Sequence, residues 1–217
     1  MVSDSVQDAA QVAHDVGLAA WLGGAMFGKF AHNPSLRLIS SPAERGQVAN
    51  AAWNGYNVVN AVGLGSAGAA YVAARRTELQ SGNLTDRERA LVTGMDFLMG
   101  TAVLSGVLNF ALGGALARQA PEAAVPVETG TQPTRETPRR AARLQRAIGL
   151  LGTVNIVSGV LLVADNAVFR RGAFSRPATR RALRRSGDGS AASSLVIGAV
   201  TGTLAAAGNE LRRRIAL

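Results

Sequence analysis

Long stretches without a single Asp, Glu, Lys or Arg constrain this chain more than any other feature. Gly46 to Ala74 is uncharged for 29 residues, Phe97 to Ala117 for 21, Ala147 to Ala164 for 18 and Gly189 to Asn209 for 21. Val16 to Gly28 is shorter, and relaxing its edges extends it to about Ala9–Ala31. A membrane-spanning helix needs about 20 mostly apolar residues. A soluble helical bundle puts charge on its outer faces every few residues. Here the charges sit between the runs instead. The runs lack the period-two alternation of strands, and Ala and Leu, which favour helix, fill them. Their abundant Gly suits membrane helices. The mean hydropathy of +0.15 is modest because Arg-rich connectors dilute the Ala- and Gly-rich runs.

These runs predict an all-α chain: a four-helix transmembrane bundle over residues 1–169, with helices near 9–31, 50–74, 91–117 and 147–169. A Pro-containing loop at 118–138 (PEAAVPVETGTQPTRETP at its centre) is polar and poor in aromatics, and is expected to be flexible, disordered or extended. Residues 170–217 form an Arg-rich segment and a C-terminal helix near 190–214, either spanning or interfacial. Met1 to Asp8 has two Asp and no basic residue, so it lacks the charged start of a cleavable signal peptide. With four spans, basic residues number 14 on the side of both termini against 9 on the other. The positive-inside rule then places the N-terminus in the cytoplasm of a bacterium, with the chain multi-pass in its inner membrane. With five spans the tally is 11 against 12 and decides nothing.

The chain has no Cys, which excludes disulfides, thiolate nucleophiles and Cys-based metal sites. Its two His, His14 and His32, are 18 residues apart at opposite ends of one helix, which disfavours bis-His haem. Met95 and Met99 flank Asp96 and, with His14, could form a soft copper site. Methionines at helical spacing more often pack in a core or against lipid. Gly63 to Gly68 matches G-x-G-x-x-G, but inside an uncharged helix with no preceding strand. The sequence therefore predicts no enzyme, no cofactor and no metal.

Several polar and small residues stand out within the runs. Gly24 and Gly28, with Ala20, make a small-xxx-small seam. Gly152, Gly159 and Asn166 make another packing face, repeating every seven residues with Asn155 beside them, and Gly106 and Gly113 share that spacing on their own helix. Asn50, Asn54 and Asn57 fall within about 60° of helix surface and Asn60 extends the stripe, which is expected to face the bundle interior. Trp53 and Tyr56 occupy the start of that helix, as interfacial aromatics do. His14, Asp15, Asp96 and Asp165 fall in one leaflet, roughly 6 to 9 Å from the helix ends at 1.5 Å per residue. One reading makes this layer a proton relay, metal site or head-group pocket. The other has the four groups hydrated or paired with Arg75, Arg89 and Arg170. Arg170, Arg171, Arg180, Arg181, Arg184 and Arg185 suit contact with anionic headgroups, at roughly 1 kcal/mol per basic residue, or with an acidic partner. Nucleic acid is disfavoured because few aromatics interleave them.

Val12-Ala-His14-Asp-Val-Gly-Leu-Ala-Ala-Trp21-Leu-Gly23-Gly24-Ala-Met-Phe27 resembles the first helix of small four-helix membrane proteins, the copper-resistance protein D-like families and their uncharacterised relatives. The resemblance covers about 16 residues and implies a four-helix integral membrane bundle. It does not extend to copper transport, because soft ligands are scarce. Arg in place of Lys and an Ala/Gly bias suit a high-GC bacterium such as an actinobacterium. In that setting the chain looks similar to auxiliary membrane subunits of envelope machines, such as Mce-type lipid importers or respiratory supercomplexes. The expected function is a non-enzymatic accessory subunit of a larger membrane protein complex, most of all a lipid transport machine of the cell envelope. It would contact membrane lipids and no nucleic acid. The alternative is a small transporter, or a metal- or redox-linked protein, that uses the His14, Asp15, Asp96 and Asp165 layer.

Overall fold

The computed structural model describes residues 4–76, 79, 84–120 and 124–174. Among them the chain is all-α, with four long helices: α1 (Asp4–Phe27), α2 (Pro42–Arg76), α3 (Asp86–Ala117) and α4 (Arg139–Phe174). The proposed helix near 190–214, and Arg180, Arg181, Arg184 and Arg185, lie outside the described residues.

Local chemistry sets the helix starts. Pro42 opens α2 at a position whose N–H has no helical partner. The Ser41 hydroxyl in front of it accepts from the Glu44 amide at 3.3 Å. α3 begins in a reciprocal capping box. Thr85 Oγ1 accepts from the Glu88 amide, while the Glu88 carboxylate accepts from the Thr85 amide at 2.9 Å. Such caps contribute about 1 kcal/mol. α1 continues past Phe27 through a wider π turn, Gly28–His32, before the chain reverses into α2.

The helices run alternately up and down. α1 packs along α2 and α3 along α4, and contact between the two pairs is sparser and runs mainly between α1 and α4. Trp21 is fully buried at the centre, with Leu18, Ala67, Tyr71, Met95, Met99, Ala102 and Leu162 around it. Glycines set how closely the helices approach. A Cβ on Gly24 would overlap the Tyr56 ring, and one on Gly28 would overlap Trp53. Gly159 faces Trp21 and Leu22, where an added Cβ would stand 2.9 and 2.8 Å from them. Gly152 differs from the packing role expected of it, because its would-be Cβ meets nothing within 4 Å. Trp53 and Tyr56 fill the hollows of α1 as packing residues, so their position at the start of α2 does not leave them as free interfacial aromatics.

Part of the connector before α4 takes the extended form among those expected of it. Val127–Thr129 and Gln132–Pro133 pair as a short antiparallel hairpin. Val125, Val127 and Thr129 turn inward and are buried. Arg45 holds the hairpin to the α1–α2 turn, donating to the Ile39 carbonyl at 2.6 Å and to Glu128 at 3.1 Å. Gly46 lets the backbone at Val125 come close. The low average hydrophobicity of this connector hid the period-two burial of three residues.

Two helices are long and apolar enough to cross a membrane, over Asp86–Ala117 and Arg139–Arg171. Among the described residues α1 and α2 do not reach that measure. Asp8 and Asp15 interrupt α1, and the long uncharged run of α2 is rich in Ala, Gly and Asn and holds a single Leu. Large apolar side chains nonetheless stand exposed on all four helices, including Val16 on α1, Val62 on α2, Phe97 and Phe110 on α3 and Leu150 on α4.

Candidate functional site

The end of the bundle opposite the hairpin gathers the N-terminal parts of α1 and α3 and the C-terminal parts of α2 and α4. It holds His14, Asp15, Asp96 and Asp165, together with Tyr71, Arg75 and Arg170. The four residues expected in one layer do lie at one end, but they form separate contacts rather than one convergent site.

Asp96 is gripped by α2. Arg75 Nε donates to both of its oxygens at 3.0 and 3.1 Å, and Arg75 Nη2 donates to Oδ2 at 3.0 Å. Tyr71, one helical turn before Arg75, donates from its hydroxyl to Asp96 Oδ1 at 2.7 Å. The carboxylate thus accepts from a guanidinium fork and a phenol together, a strong arrangement for an ionised acceptor. Arg75 Nη1 also donates to the Leu79 carbonyl at 2.5 Å, which ties down the start of the α2–α3 connection.

Asp15 is held from α4. Arg170 Nη2 donates to its Oδ2 at 2.9 Å, and Gln11 Nε2 donates to its Oδ1 at 2.9 Å. Arg170 is therefore an internal partner, a correction to its expected role in headgroup contact. Arg171 beside it is exposed. Arg89, expected to frame the layer, pairs instead with Asp86 at 3.1 Å on its own helix.

His14 is buried, and its Nδ1 donates to the Ala67 carbonyl at 3.0 Å, which fixes a proton on that nitrogen. Its ring lies 6.4 Å from Tyr71, tilted by 33°. Asp165 faces Gly94, with Oδ2 2.8 Å from where a Cβ on Gly94 would stand. Its Oδ1 is buried without a hydrogen-bond partner among the described residues. Met95 and Met99 are buried in the apolar core beside Tyr71. Among the described residues, no group of three or more His, Asp or Glu is placed to hold a metal ion.

The geometry can lock helices together. Arg75–Asp96 links α2 to α3, and Arg170–Asp15 links α1 to α4. Each ion pair joins one helix pair to the other, where packing is sparsest. Tyr71 was absent from the candidates read off the sequence. Its signal was the Tyr71 and Arg75 spacing of four, which puts both on one face of α2.

The asparagine stripe of α2 splits. Asn60 lies on the α1-facing side, with its Oδ1 buried and without a partner among the described residues. Asn57 is half-buried, while Asn50 and Asn54 are exposed. The interior role expected of Asn54 is thus corrected, because Trp53, Tyr56, Gly63 and Ala67 take the side that meets α1. On α4, Asn155 is buried and donates to the Ala102 carbonyl at 3.0 Å and to Ser105 Oγ at 2.9 Å, joining α3 to α4.

No family model matches this chain, and neither curated proteins nor solved structures yield a match.

Proposed function

We propose that this chain is a multi-pass inner-membrane protein of a bacterium and serves as a non-enzymatic accessory subunit of a larger membrane complex. The class of complex that suits it is an envelope transport machine for lipids. The membrane part of this reading draws on the apolar side chains that stand outward on all four helices, while Asp15 and Asp96 each meet an arginine of another helix. Phe97 and Phe110 are 73% and 71% exposed on α3, and Leu150 is 67% exposed on α4. So much outward apolar surface is costly in water and ordinary in lipid.

The subunit part rests on the outer face of α2. Asn50, Asn54, Ala61, Gly65 and Ala69 fall within about 100° of helix surface, and all are exposed. Nothing lies within 4 Å of a Cβ placed on Gly65. In hydrocarbon an Asn needs a hydrogen-bonding partner, and small residues let a second backbone come close. This face therefore suits a helix from another membrane protein. The pairing of Asp15 and Asp96 with arginines favours a structural role for the charged layer over transport.

Co-purification in mild detergent tests the reading, comparing the native chain with Gly65→Leu. The native chain is expected to bring down one reproducible set of membrane proteins. Gly65→Leu should lose that set while keeping its own melting temperature, because the site is open within the chain. A native chain recovered alone even after cross-linking, or a variant that keeps its full set of partners, would contradict the subunit reading.

A further inference from the structure

We infer that the N-terminal end of α4 binds an anionic phospholipid, with its phosphate held by Arg139, Arg143 and Arg146 and an acyl chain lying along the apolar face that follows. The inference rests on the membrane reading above and concerns a different end of the bundle from the charged layer.

The three arginines recur at spacings of four and three, which puts them on one face of α4. They line an open cleft of about 610 Å³ together with Arg135, Thr134 and Thr137 from the segment leading out of the hairpin. All four arginines are exposed, and among the described residues none makes an ion pair. By contrast, Arg45, Arg75, Arg89 and Arg170 each meet a carboxylate. Of the carboxylates near the cleft, Glu128 is engaged by Arg45, and Glu136 is exposed. Among the described residues the cleft thus gathers four arginines, with Glu136 as the neighbouring unpaired acid. Guanidinium groups present planar forks of N–H donors, a geometry that suits phosphate oxygens.

The same helix face identifies the source of the phosphate. Beyond Arg146 it continues through Leu150, Val154, Val157 and Leu161, all exposed. From Leu150 to Leu161 the run is about 17 Å long at 1.5 Å per residue. That is roughly half the thickness of a bilayer's hydrocarbon core, the reach of one leaflet. Arg146 directly precedes the uncharged run Ala147 to Ala164, which puts the arginines at headgroup height. A soluble phosphate would use the cations and leave the apolar track idle. A phospholipid uses both.

The test reconstitutes the full-length chain into vesicles of phosphatidylcholine, with spin-labelled phosphatidylglycerol or phosphatidylcholine as the reporter. Flotation of the vesicles separately reports insertion. The native chain should immobilise the anionic reporter about tenfold more strongly than the zwitterionic one. The triple variant Arg139→Gln/Arg143→Gln/Arg146→Gln should insert equally well and lose the preference. The corresponding triple Lys variant should keep part of it, and Arg87→Gln at the other end should keep all of it. Equal association of the two reporters with inserted native protein would overturn the site alone. So would a preference that survives the triple Gln variant, or one abolished by millimolar inorganic phosphate, which would mark a site for free anions. Vesicles that float without the protein would overturn the membrane reading, and the site with it.

Discussion

At the scale of single residues, this bundle is specified by where glycine is absolute and where it is incidental. Gly24 receives the Tyr56 ring, whose hydroxyl donates to the Ala20 carbonyl, so α1 and α2 meet with no room for a side chain there. Gly23, its neighbour, has nothing within 4 Å of a would-be Cβ. Gly24→Leu is therefore expected to destabilise the fold by about 3 kcal/mol or more, at the upper end of overpacking costs. Gly23→Ala should be neutral or stabilise by up to about 1 kcal/mol, because Ala is the better helix former. Thermal unfolding in detergent separates the two. Equal melting temperatures for these variants would mean that the Tyr56–Gly24 contact does not set the helix approach. The sequence marked Gly24 and Gly28 as a packing seam, but it offered no way to tell Gly159, which packs against Trp21, from Gly152, which meets open space. That distinction depends on which face of α4 a neighbour occupies, and helical spacing alone is blind to it.

At the scale of elements, the molecule is two helix hairpins fastened to each other. α1 packs along α2 and α3 along α4, although the shortest connection, residues 77–85, joins α2 to α3. The bridges between these pairs are Arg75–Asp96 and Arg170–Asp15, at one end. Charges on these partly exposed groups are screened, so each bridge contributes about 1–2 kcal/mol, chiefly through charge-assisted hydrogen bonds. Asp96→Asn and Asp15→Asn should each lower the melting temperature by a few degrees. The swapped pair Arg75→Asp/Asp96→Arg should recover part of that loss. No loss in either single variant, or a swap worse than both single changes, would remove these pairs from the account. The sequence placed all four ionisable residues at one end because helix direction and depth follow from run boundaries. It left open whether they converge or pair off, since that depends on helix rotation. The hairpin at Val127–Thr129 escaped notice for another reason. Two short strands held by Arg45 and Gly46 draw their order from long-range contacts, and a polar, Pro-rich stretch does not announce those.

At the scale of the whole molecule, the described residues place both polar and apolar side chains inside the bundle and large apolar ones on its outer faces. Asn155, Ser105 and Ser158 are buried in the bundle and Gln145 is buried against the connector at Pro126, while Phe97, Phe110, Leu150 and other large apolar side chains face outward. Run length and the spacing of charges made the helical class legible before any coordinates. Hydropathy alone marks α3 and α4 as long and apolar enough to span, and we propose that all four helices span. Cysteine accessibility tests this central claim most directly, because the chain has no native Cys to remove. Single substitutions at four exposed positions would be labelled in intact cells with a membrane-impermeant thiol reagent: Asp8→Cys and Arg87→Cys at the charged end, Leu38→Cys and Arg135→Cys at the hairpin end. Leu38→Cys and Arg135→Cys are expected to label from outside, and Asp8→Cys and Arg87→Cys only after permeabilisation. Uniform labelling of all four positions, or recovery of the chain in the soluble fraction, would contradict the claim.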